Sequence, residues 1–150
     1  VPLSVKANET VTLSGDDLAP LRAKVSELKS TDSLTGNGHY HFWSANKNSV
    51  NFQLEQTAND LPAGTYKFTI SIMGGDAGKT EVYAYVRLNG EIISTSPLTI
   101  TSYNDWHTTT ISDIRYDGNG ILTVGINVKC EGDGSGAWGK IDDAMLNSMK

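Results

Sequence analysis

The sequence predicts an all-β protein: a single domain over residues 1–150, folded as an antiparallel β-sandwich of the jelly-roll kind. Three observations carry that expectation. Apolar residues recur with a period of two in segment after segment, the spacing that puts one set of side chains on one face of a strand. Glycine-bearing turns separate the segments, at "TGNG", "LPAG", "MGGDAG", "LNGE" and "DGNG", and each supplies a residue that tolerates positive φ. Helical spacing is confined to Asp17–Leu28, where Leu18, Leu21, Val25 and Leu28 form a short stripe that Pro20 interrupts. Short strands punctuated at this interval in 150 residues indicate a sandwich.

In chain order, the alternation predicts strands over Arg22–Lys29, His39–Ser44, Val50–Thr57 and Thr65–Met73, then Glu81–Asn89, Glu91–Thr101, Trp106–Ile114 and Ile121–Glu131. A closing strand follows in "AWGKIDDAML", Ala137–Leu146. Parity assigns the core to Phe52 and Leu54, to Tyr66, Phe68, Ile70 and Ile72, to Val82, Ala84, Val86 and Leu88, and to Leu122, Val124, Ile126, Val128 and Cys130. Cys130 is the only cysteine, so no internal disulfide can form, and its register makes it buried filler.

Composition narrows the function classes. The net charge of -5 and pI near 5.0 leave no basic stripe for phosphates, so neither nucleic acid nor an anionic membrane is an expected partner. No apolar run approaches the ~20 residues of a membrane helix. Val1 reads as the start of an excised or mature segment of a larger parent, since neither an initiator Met nor a signal peptide precedes it.

The second face of the strands is unusual for a solvated surface. Tyr83, Tyr85 and Arg87 share one strand, Asn127, Lys129 and Glu131 another, and His39, His41 and Trp43 a third. Sugars present a patch of axial C–H bonds and a rim of hydroxyls, so a sugar site needs aromatic rings for the one and planar or charged groups for the other. This face holds both kinds, although amphipathic aromatics also cover half-buried sheets without binding anything. Trp43, Tyr83, Tyr85, Arg87, Lys129 and Glu131 are therefore the candidate ligand contacts, expected to converge if their strands share a sheet.

Catalysis is not expected. A retaining glycosidase needs two carboxylates about 5 Å apart, and no strand here carries a pair at i, i+2 or i, i+4. No serine stands in G-x-S-x-G, His39 and His41 lack a third metal ligand, and "GDAGKT" departs from the phosphate-binding loop pattern.

Four stretches carry a resemblance: "HYHFWS", "FQLEQTANDLPAGTYKFTISIMGGD", "NDWHTTTISDI" and "AWGKIDDAML". Together, over roughly His39 to Leu146, they resemble family 61 carbohydrate-binding modules, the β-1,4-galactan-binding modules attached to bacterial endo-galactanases. The resemblance implies a galactose-binding-like β-sandwich, a structural calcium, and no catalysis by the module itself. It implies a secreted, extracellular bacterial parent in which a tethered glycoside hydrolase is targeted to β-1,4-galactan or galacto-oligosaccharide. The module is expected to be a monomer. A module for another glycan, or a sandwich for protein contact, is the alternative.

Within that resemblance, "GSGAWGK" sets Trp138 at one rim of the sandwich, either as a sugar platform or as packing. Asp142 opens the last strand, where its carboxylate either ligates calcium or accepts backbone N–H bonds. Trp106, at the head of a strand, reads as packing.

Overall fold

The structure, a computed structural model, describes residues 26–29, 39–43, 49–58, 61–133 and 136–149. Nine strands occur among them: β1 (Ser26–Lys29), β2 (His39–Trp43), β3 (Val50–Ala58), β4 (Gly64–Gly75), β5 (Thr80–Leu88), β6 (Glu91–Pro97), β7 (His107–Tyr116), β8 (Leu122–Cys130) and β9 (Trp138–Met149). They make a five-stranded sheet in the order β1-β2-β9-β4-β7 and a four-stranded sheet in the order β3-β8-β5-β6. Every pairing is antiparallel. The fold is the antiparallel sandwich that the alternation predicts.

The helical stripe is replaced by strand at Ser26–Lys29; the rest of Asp17–Leu28, the start of the strand expected from Arg22, and Ser44 lie outside the described residues. The sixth strand stops at Pro97 instead of Thr101. Proline cannot donate to a ladder; one further bond, from the Leu98 N–H to the Val82 carbonyl of β5 at 2.9 Å, follows it before the chain crosses to β7 of the other sheet.

The apolar parity sets meet between the sheets. Phe68, Ile70 and Ile72 of β4 face Leu54, Ala84, Val86, Ile126 and Val128 of the opposite sheet, all buried. Phe52 packs edge-on to Phe42, ring centroids 5.1 Å apart. Cys130 is buried too, and burial pushes its thiol up to about 11.

The paired aspartates of β9 mark a bulge. The β4–β9 register shifts between Thr69 and Ser71, Asp143 adopts φ 53°, and Asp142 Oδ1 accepts the Asp143 N–H at 2.8 Å. The extra residue resets the alternation: Gly139 and Ile141 face the core before it, Leu146 after it. That leaves Trp138, Lys140 and Asp142 on the outer face of the five-stranded sheet.

Candidate functional site

The sequence-predicted contacts divide between opposite sides of the sandwich. Trp43 and Trp138 are cross-strand partners on β2 and β9 of the five-stranded sheet. Tyr83, Tyr85, Arg87 and Lys129 lie on β5 and β8 of the four-stranded sheet. The expected convergence on one surface is thus corrected: parity tells which side of its own sheet a residue takes, not which sheet it belongs to. Glu131 lies one residue beyond the end of β8, exposed, its N–H donating to the Lys79 carbonyl at 2.9 Å. His41 is half-buried, and Trp106 half-buried just before β7.

Around Trp138 the outer face of the five-stranded sheet gathers aromatics. Its indole lies against the backbone of Gly75, the residue paired with it on β4. A Cβ at position 75 would stand 2.9 Å from Trp138 Cζ2, closer than real contacts allow. Trp138 Nε1 donates to Asp76 Oδ2 at 3.0 Å, so face and edge of the ring are both fixed. Asp76 is itself held by the loop before β9, whose Asp133 N–H donates to the Asp76 carbonyl at 3.1 Å. Trp43 is 62 % exposed.

The third ring comes from the β6–β7 loop. Tyr103, 54 % exposed, stands 6.3 Å from Trp138 between centroids, tilted by 47°. Lys140, beside Trp138 on the same face of β9 and only 7 % exposed, places Nζ 5.8 Å from the centre of the Tyr103 ring, within cation–π reach. The loop is anchored to the sheet by the Asn104 N–H, which donates to Sδ of the outward-facing, buried Met73 at 3.3 Å. A brace closes its base: the Thr101 hydroxyl donates to Asp105 Oδ2, and His107 Nε2 lies 3.0 Å from Thr101 Oγ1 and 3.4 Å from Asp105 Oδ2. The Thr101 hydrogen bond, followed by attraction to His107, holds the Asp105 carboxyl below its ordinary value.

Sequence reasoning missed Tyr103, Lys140 and Asp76. Tyr103 sits in a polar loop with no alternation to mark it. Asp76 and Lys140 do fall inside "MGGD" and "AWGK", two motifs that the structure brings into contact: Gly75 makes room for the Trp138 ring and Asp76 pins it. Trp43 from "HFWS" and Asn104 from "NDW" belong to the same end of the molecule.

The four-stranded sheet carries a different arrangement. Tyr85, on the outward parity, is 0 % exposed; its ring lies over Gly125, where a Cβ would meet Cζ at 2.8 Å. Its hydroxyl donates to Glu55 Oε2 at 2.7 Å. Burial first, then Glu55, drives the phenol far above its ordinary range. Arg87 stacks on the Tyr85 ring at 5.0 Å, with Nε 3.6 Å from Glu55 Oε2. Tyr85 is therefore a foundation of this face and not a ligand contact. Lys129 is exposed, opposite Glu81 and Asn51.

Asp142 supplies a hard oxygen donor that suits calcium. No group of three or more His, Cys, Asp or Glu side chains able to hold a metal ion occurs among the described residues. A calcium at Asp142 would need backbone carbonyls or residues outside those described to complete its shell.

The chain matches no protein-family model and no curated protein. Solved structures do resemble it. TmCBM61 in complex with β-1,4-galactotriose is 24 % identical and superposes with a TM-score of 0.66 over 80 % of this chain and 77 % of that one. A family 16 carbohydrate-binding module is 12 % identical, TM-score 0.53, over 81 % and 84 %. A CBM4 structure is 14 % identical, TM-score 0.51, over 81 % and 78 %. The fold is the β-sandwich in which carbohydrate-binding modules are built. No helix among the described residues is long and apolar enough to cross a membrane.

Proposed function

We propose that the protein is a non-catalytic carbohydrate-binding module for β-1,4-galactan or its oligosaccharides, with its site on the outer face of the five-stranded sheet at Trp43, Trp138 and Tyr103. The carrying observation is the Trp138 indole, fixed by Gly75 and Asp76 beside two exposed aromatic rings. A ring that is already oriented loses little freedom when a sugar stacks on it, and preorganisation converts directly into affinity. Galactan has axial O4 linkages that bend the chain, which suits three rings grouped around one end better than a row along a flat groove. Lys140, His41 and Asp105 border the rings with groups suited to hydroxyls.

The resemblance in sequence and the likeness in fold to a module holding galactotriose support galactan as the glycan. In this reading the module acts as a monomer within a secreted parent and raises the effective concentration of a tethered glycoside hydrolase on its substrate. Affinity electrophoresis through gels containing galactan, xylan or mannan tests it. Retardation by galactan that weakens in Trp138→Ala is expected. Retardation by another glycan that weakens in Trp138→Ala, with none by galactan, reassigns the specificity of this surface, and no retardation by any leaves a sandwich for protein contact. In calorimetry with galactotriose, Trp138→Ala is expected to cost ~1–3 kcal/mol, the range of a lost aromatic contact.

A further inference from the structure

The outer face of the four-stranded sheet holds a hydrogen-bonded chain of planar groups that the site around Trp138 does not use. Gln53 Nε2 donates to Asn127 Oδ1 at 3.1 Å, Asn127 Nδ2 donates to the Glu81 carbonyl at 3.1 Å, and Arg87 donates to Gln53 Oε1 at 3.4 Å and to the Gly90 carbonyl at 3.2 Å. These bonds fix which way each amide points. They also leave capacity: one N–H on each of Gln53 and Asn127 remains, and the hydroxyl of half-buried Tyr83 makes no hydrogen bond among the described residues. Tyr83 stands edge-on to Tyr85 at 6.3 Å, and Arg87 lies over Tyr85, so ring and guanidinium are both braced from beneath.

We propose that this face is a second recognition surface, for a neutral oligosaccharide, independent of the Trp138 platform and on the other side of the sandwich. A ring beside oriented amide donors is the chemistry that takes a sugar: stacking for the C–H patch, fixed N–H groups for the hydroxyls. Charge points to a neutral ligand. Arg87 has Glu55 at 3.6 Å, and Lys129 stands cross-strand from Glu81, so the face has no uncompensated charge to draw an anion or a cation. A module with two such surfaces can hold two glycan chains, or two stretches of one, on opposite sides.

The test is a titration with β-1,4-galactotriose, xylotriose or mannotriose, read by the side-chain amide resonances of Gln53 and Asn127 and by the indole N–H of Trp138. Variants are Trp138→Ala, Tyr83→Ala and Gln53→Ala; positions 83 and 53 are half-buried and outside the core, and circular dichroism checks each fold. With one of these sugars, the amides of Gln53 and Asn127 are expected to shift saturably in Trp138→Ala, with affinity at least tenfold weaker in Tyr83→Ala. Gln53→Ala keeps the Asn127 reporter should Tyr83→Ala fail to fold. Amides that stay silent to all three sugars while the Trp138 indole responds overturn the second surface and leave the first intact. Amides that respond while the indole stays silent overturn the Trp138 site and support this one. Silence at both overturns both.

Discussion

The indole of Trp138 rests on the bare backbone of Gly75, sixty-odd residues before it in the chain, and is tied there by Asp76. An alanine at 75 would intrude to within 2.9 Å of the ring. Gly75 is not in the left-handed region, so the backbone accepts the substitution and the ring must move instead. Gly75→Ala is expected to weaken galactotriose about tenfold, ~1.4 kcal/mol, with the melting temperature little changed and tryptophan emission shifted. Calorimetry decides; unaltered affinity would mean that the ring's orientation does not matter.

Tyr85→Phe removes one oxygen from the four-stranded sheet and takes from Glu55 the hydroxyl that donates to it at 2.7 Å. Losing a buried partner costs about 1–3 kcal/mol. Urea unfolding should show that loss with an unchanged slope, and Glu55→Gln, which keeps an acceptor for the hydroxyl, should cost less. A Tyr85→Phe variant as stable as the parent would show that the pair carries no net stabilisation.

The Thr101–Asp105–His107 brace makes the Tyr103 loop sensitive to acid. Asp105 titrates below its ordinary 3.8 in the folded chain, so the unfolded chain takes up the proton first. The stabilisation is complete above that ordinary value and is lost as pH falls through the lower, folded one. Tyr103 ring resonances should stay constant from neutral pH to about 5 and broaden or shift only in that acid window. Thr101→Val should move the window upward. Resonances that already change above that window would show that Asp105 does not control the loop.

Calcium at Asp142 is a proposal that melting curves test. An ion bound only by the folded state stabilises it by mass action, so chelator should lower the melting temperature, added calcium restore it, and Asp142→Ala abolish the response. Curves indifferent to chelator in the parent protein would leave Asp142 with the bulge alone, bracing the Asp143 N–H.

The strands were legible because the core obeys period two almost without exception: Phe68, Ile70 and Ile72, or Ile126, Val128 and Cys130, declare their face unaided. Sheet membership was not legible. Trp43 and Tyr83 have the same outward parity, yet one belongs to β2 and the other to β5, on opposite sides, because strand order is fixed by long-range pairing that local pattern does not encode. Burial on an outer face escaped for a similar reason. Tyr85 is hidden because Gly125, on the neighbouring strand, leaves it a place to lie down. Tyr103 reaches Trp138 from a loop whose path depends on Asn104 and Met73, thirty-one residues apart.

The position of β9 has a temporal meaning. Of the nine described strands it is the last to leave the ribosome, and it fills the middle of its sheet, between β2 and β4. Until it inserts, those two strands have no common neighbour, Gly75 has no ring to seat, and Asp76 has no indole to pin. Recognition at this surface is therefore acquired only after the other eight described strands have been made, by long-range pairings that are slow to close. A chain lacking Trp138–Met149 would keep every strand of the four-stranded sheet in its sequence yet be blind at this surface, so sugar binding doubles as a report that β9 has found its place.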